Sequence, residues 1–115
     1  GVNLVSGVVD DGVLRTPSGA SLVVADAPQG PSFAVVRPQS VTLLHAAAVG
    51  TSVRNQWPGV VGDIDRLGDR ARVSVQGVMP LTAEITVASL EALGLRPGVE
   101  VHTSVKATDI EVYAA

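Results

Sequence analysis

Apolar residues in this chain recur mostly at every second position. Between Gly98 and Ala107, Val99, Val101, Thr103 and Val105 fall on one face, and Glu100, His102, Ser104 and Lys106 on the other. A period of two marks a strand with one buried face. Similar β-rich runs, bounded by Gly, Pro, Asp or Asn, are predicted at residues 7–11, 20–26, 32–38, 59–68, 70–77, 79–86 and 109–115. One segment breaks the period. "ITVASLEALGLRPG" has Thr86 as a natural N-cap, Leu90 and Leu93 on one face, Gly94 at the stop and Pro97 beyond it. It predicts one short helix near residues 87–93. Many short strands and one capped helix predict an all-β fold, a small barrel of the OB type.

The pattern also repeats. "NLVSGVV" (Asn3 to Val9) and "NQWPGVV" (Asn55 to Val61) share N-x-x-x-G-V-V. Further on, "AVVRPQSVTLL" (Ala34 to Leu44) parallels "TSVKATDIEVY" (Thr103 to Tyr113), which aligns Arg37 with Lys106. The second copy is longer, mostly by the helical insert. We read two β-units of related design: residues 1–45, a connector at 46–50 within "HAAAVG", and residues 51–115.

Composition narrows what such a fold can do. The core must be aliphatic, because Phe33, Trp57 and Tyr113 are the only aromatic residues. There is no cysteine, which excludes disulfides and thiolate metal sites. No run of 18 apolar residues offers a membrane span, and the first residues do not resemble a signal peptide, so a cytosolic setting is expected. The net charge is −3, the seven Arg are scattered and Lys106 is the single Lys. Neither a basic footprint nor aromatic stacking platforms for nucleic acid are present.

Catalytic motifs are missing from this stretch. It has no G-x-x-x-x-G-K-[ST] phosphate loop and no G-x-S-x-G elbow. His45 and His102 fit no metal spacing and read as surface residues. Asp63, Asp65 and Asp69 in "GDIDRLGD" read as a solvated turn, since Ile64 and the short spacing do not suit a calcium loop. Anion binding remains. Ser52, Arg54 and Asn55 supply donors before a strand. Thr86 and Ser89 supply hydroxyls at a helix start, where backbone N–H groups and the dipole favour negative charge. Lys106 and Thr108, with the backbone of Ala107 between them, form a third cluster. Each cluster alone also has a plain structural use, as turn residues, a cap or a solvated charge.

The order of the three clusters resembles the molybdate-binding (Mop) domain of the TOBE group. The family's Ser-Ala-Arg-Asn stands here as Ser52-Val53-Arg54-Asn55. Its Ile-Thr-x-x-Ser before Leu-Gly-Leu stands as Ile85 to Ser89 before Leu93-Gly94-Leu95. Its Lys-Ala-Ser/Thr stands as Lys106-Ala107-Thr108. Val53 departs from the family's Ala. The first half, with "FAVVRPQSVTLL", resembles the TOBE region that follows the nucleotide-binding domain in transport ATPases.

The resemblance implies a regulatory domain at the C-terminus of a molybdate-type ABC transporter ATPase subunit. It would bind molybdate or tungstate, without a catalytic cofactor, through Ser52, Arg54, Asn55, Thr86, Ser89, Lys106, Ala107 and Thr108. Members place such sites at interfaces, so the implied partners are the oxyanion, a second copy of the chain, and the nucleotide-binding domain and permease of the transporter. The implied location is the cytoplasm, at the inner face of the membrane. The domain would not be an enzyme by itself, although the full-length protein would be a transport ATPase. Two alternatives are a dimerisation module without an anion site and a molbindin-like storage protein. A molbindin is expected to begin near Thr51, and the N-terminal unit argues against it.

Overall fold

The structure is a computed structural model that describes residues 1–48 and 55–115. In chain order the first half forms β1 (Asn3–Asp10), β2 (Val13–Arg15), β3 (Ser21–Val23), β4 (Gly30–Val36), a 3-10 turn (Pro38–Ser40) and β5 (Thr42–Leu44). The second half forms β6 (Gln56–Leu67), β7 (Arg70–Gln76), β8 (Leu81–Thr86), α1 (Val87–Ala92), β9 (Glu100–Ser104), a second 3-10 turn (Ala107–Asp109) and β10 (Ile110–Ala114). The all-β prediction and the short helix both match this architecture. Val101, Thr103 and Val105 are buried, while Glu100 and Lys106 on the opposite face are exposed.

Two five-stranded antiparallel sheets carry the fold. Their orders are β10-β4-β1-β2-β3 and β5-β9-β6-β7-β8. The orders superimpose strand for strand when β1–β4 are laid on β6–β9 and β10 on β5. Each half therefore gives its last strand to the other sheet. β5 pairs with β9 through Leu43 and Thr103, and β10 pairs with β4 through Val112 and Ala34. The two 3-10 turns make these crossings, and their leading residues share one backbone conformation: Arg37 at φ −71°, ψ 140° and Lys106 at φ −70°, ψ 137°. A single aliphatic core joins the sheets, with Val9, Leu14, Leu22, Val61, Val73, Leu90 and Val101 essentially sealed from solvent.

The repeated N-x-x-x-G-V-V has a physical explanation at three of its four fixed positions, the Asn, the Gly and the final Val. The Asn3 amide brackets Thr82 on β8, accepting from its N–H at 2.8 Å and donating to its carbonyl at 2.9 Å. Asn55 does the same to Val23 on β3, at 2.8 and 2.9 Å. Each half thus staples an edge strand of the other. A Cβ on Gly7 would run into the Arg15 carbonyl oxygen, and one on Gly59 would lie 2.8 Å from that of Gln76. Only glycine permits strands to pass this closely. The final Val, Val9 or Val61, is 2% exposed in both copies and anchors the core.

Two elements differ from the expectation. β6 continues through Asp63 and Asp65 to Leu67, with an irregularity between Val61 and Ile64 where the Ser74 hydroxyl accepts from the Asp63 N–H at 2.7 Å. The solvated turn expected over Asp63 to Asp69 therefore shrinks to the hairpin at Gly68 and Asp69, with Gly68 at φ 63°. His102, expected at the surface, is half-buried on the outer face of the second sheet.

Candidate functional site

Of the residues the sequence singles out, Ser52 and Arg54 lie outside the described residues. The others fall into two groups. Asn55 and Lys106 sit at one end of the second sheet. Gln56 pairs with Ser104, and one step further the Val105 N–H donates to the Asn55 carbonyl at 3.0 Å. Lys106 follows directly, exposed, at the head of the 3-10 turn that holds Ala107 and Thr108.

The Asn55 side chain is buried, and both its oxygen and its nitrogen are engaged by Val23. Its evident use is to hold the start of β6 in place. Trp57 next to it turns inward, donating its ring N–H to the Ser21 carbonyl at 3.3 Å. The Thr108 segment faces a cleft of about 200 Å³ shared with Arg37, Ser40, Asp109 and Glu111. Two carboxylates line that cleft, and Arg37 approaches Glu111 at 3.9 Å, so the cleft itself is a poor receptor for a dianion.

Thr86 and Ser89 occupy the opposite end of the same sheet. Thr86 pairs with Arg70, which pairs with Leu67, the last residue of β6. The whole 12-residue length of β6 therefore separates this group from Asn55 and Lys106. The Thr86 hydroxyl caps the helix by accepting from the Ser89 N–H at 3.0 Å, and it donates to the Ser89 hydroxyl oxygen at 3.0 Å. It is committed in both senses, which leaves the exposed Ser89 hydroxyl proton as the free donor of the pair. The Val87 N–H goes to the Asp69 carbonyl at 2.8 Å.

One residue at this end was not singled out as a donor by sequence reasoning. Arg70 stands directly across from Thr86 on the outer face. The sequence places it at the head of the run 70–77, against the expected solvated turn, where its removal is expected to do little to anion binding, and nothing in the spacing reveals its neighbour.

Among the described residues no group of three or more His, Cys, Asp or Glu is placed to hold a metal ion, and no helix is long and apolar enough to cross a membrane.

Comparisons with known proteins bear on this arrangement. The family profile described as TOBE domain matches residues 51–112. The molybdate/tungstate import ATP-binding protein WtpC of Pyrococcus abyssi is 33% identical over 112 residues, covering 96% of this chain and 32% of that protein. The molybdenum import ATP-binding protein ModC of Mycobacterium tuberculosis is 34% identical over 123 residues, covering all of this chain and 33% of its own length. The chain thus spans about a third of these relatives. A solved structure of the cytoplasmic molybdate-binding protein ModG, with molybdate bound, superimposes with a TM-score of 0.85 at 23% identity, covering 98% of this chain and 96% of that one. The fold is therefore that of ModG. Both halves of this chain have counterparts in that structure.

Proposed function

The chain belongs to the TOBE domain family, and from that premise we propose that it binds a tetrahedral oxyanion, molybdate or tungstate, at an interface between two copies of itself. The observation that carries this reading is the separation of the two donor groups along β6. A dianion leaving water needs opposite charge and several hydrogen bonds at once. Lys106 lies at one end of the second sheet and Ser89 at the other, so one chain cannot place both on one ion. A second copy with its opposite end presented completes the set. In this reading Arg54 and Lys106 balance the two negative charges. Ser52, Ser89, the Thr108 hydroxyl and the backbone around Ala107 fix the geometry, Thr86 orients Ser89, and Asn55 positions the segment before it. Sulfate has the same charge and shape with shorter bonds, so cavity size supplies the selectivity.

We assign the domain a regulatory role, attached to a transport ATPase at the inner face of the membrane and coupling anion level to transport. The import ATPases WtpC and ModC support this, since the chain matches a third of each. A second reading, a free-standing oxyanion-binding protein, has the near-complete coverage of ModG in its favour. Calorimetric titration with molybdate, tungstate and sulfate tests the common core of both. Saturable binding of the first two, with self-association in sedimentation, is expected. A chain that binds none of them, or binds while strictly monomeric, overturns the interface site and favours a purely structural dimerisation module or another pocket.

A further inference from the structure

The outer face of β7 and β8 presents three successive cross-strand pairs: Ser74 with Thr82, Arg72 with Glu84, and Arg70 with Thr86. The middle pair is a closed ion pair. Arg72 Nε donates to Glu84 at 3.1 Å, both side chains are largely covered, and Gln39 donates to the other Glu84 oxygen at 3.3 Å. Along the ladder the two carboxylates nearest Arg70, Asp65 and Glu84, both lie opposite Arg72, and Asp69 directly precedes Arg70 in the hairpin. Among the described residues the ion pairs within 4.0 Å are Arg37–Glu111, Arg66–Glu91 and Arg72–Glu84. Arg70 belongs to none of them. Its cross-strand partner is a neutral hydroxyl that is already committed to Ser89.

The first sheet sharpens the contrast. Matching Val23 to Thr82, the two residues bracketed by asparagines, aligns β3 with the start of β8 and β2 with the end of β7. β2 and β3 stop after three residues each, whereas β7 has seven and β8 six. Arg70 and Thr86 sit on the part of the second sheet that the first sheet lacks, and Ser89 on the helix that follows it.

We propose that Arg70 is the cation of the hydroxyl-bearing half of the site, contacting the oxyanion from the copy that also presents Ser89. This rests on the interface reading above and adds a residue to it. Directly opposed Cβ atoms in an antiparallel pair lie about 4.5–5.5 Å apart, so the long Arg70 side chain reaches past Thr86 to an ion held at Ser89. A guanidinium offers paired N–H donors that match two oxygens of a tetrahedral anion. The anion then meets positive charge from both copies, Lys106 from one and Arg70 from the other, and its binding draws the copies together.

The test is molybdate calorimetry on Arg70→Ala, Arg70→Lys and Arg15→Ala, each first checked for an unchanged thermal melt. Arg15 is an exposed cation on β2 and controls for net charge. Arg70→Ala is expected to raise Kd about tenfold or more, Arg70→Lys to restore part of the loss, and Arg15→Ala to bind like the wild type. A mixing experiment places the residue. Arg70→Ala and Lys106→Ala each bind poorly alone, but a 1:1 mixture regains about a quarter of the wild-type sites, because each mixed pair holds one site with Lys106 and Arg70 both intact. Wild-type affinity in Arg70→Ala, with binding lost in Lys106→Ala, overturns the assignment and leaves the interface site standing. No recovery on mixing overturns the placement of Arg70 on the opposing copy. Failure of the wild type to bind molybdate removes the interface reading itself.

Discussion

The first and second sheets place Asn3 and Asn55, Gly7 and Gly59, and Arg37 and Lys106 at matching positions. Beyond these matches they diverge. β6 is 12 residues long against eight for β1, and it leads into longer β7 and β8 strands and the helix α1. Arg37 faces Glu111 at 3.9 Å, while Lys106 forms no ion pair within 4.0 Å among the described residues. Val2 and Arg54 each directly precede the asparagine of their copy, and one is apolar where the other is cationic. What the halves share supports the scaffold, and what only the second half carries is the set of residues to which we assign anion capture. A duplicated fold can thus keep one copy as support while the other acquires a site.

The widest gap between the halves is expected in binding. Lys106→Ala should weaken molybdate binding by roughly 2–5 kcal/mol, roughly a thirtyfold loss or more. Arg37→Ala at the matching position should leave the isotherm unchanged. Equal losses from both would mean that the first half carries a working site too.

A smaller effect, equal in both halves, is expected from the paired glycines. Gly7→Ala and Gly59→Ala each force a Cβ against a neighbouring strand's backbone. Each should lower the unfolding free energy by about 1–3 kcal/mol, measured in urea. A neutral result at one position would show that the two crossings are not equivalent. The smallest effect comes from the asparagines. Asn3→Ala and Asn55→Ala each strip the bracket from one edge residue, at a cost of about 1 kcal/mol or a little more. A large difference between them would show that one staple has a further duty.

Much of this architecture was legible in the sequence. The alternation around Val101 and Thr103 identifies a half-buried strand, the Thr86 cap and Gly94 bound the helix, and N-x-x-x-G-V-V reveals the duplication. The exchange of β5 and β10 was not legible, because alternation tells which face is buried and not which strand lies alongside. β2, at Val13–Arg15, is too short to show a period. For the site, the cluster residues were visible as residue types, but their spacing along the chain hid that Asn55 and Thr86 stand at opposite ends of one sheet. The side chain of Asn55 reads as a free donor until its long-range partner, Val23, is known. Arg70 was hidden for the same reason: its significance lies in Thr86, 16 positions away.

The reciprocal placement of β5 and β10 also governs how the chain comes to be folded. On a ribosome the first sheet stays one strand short until Ile110–Ala114 has been made, so β4 presents an open edge throughout synthesis of the second half. Closure depends on contacts between residues far apart in sequence, which slows folding. Neither sheet can melt independently without taking a strand from the other. Trp57 reports on the second sheet and Tyr113, stacked on Phe33 at 5.5 Å, on the first. Their signals are tied to a single cooperative event, and the early-made half remains dependent on a strand made only after β6–β9.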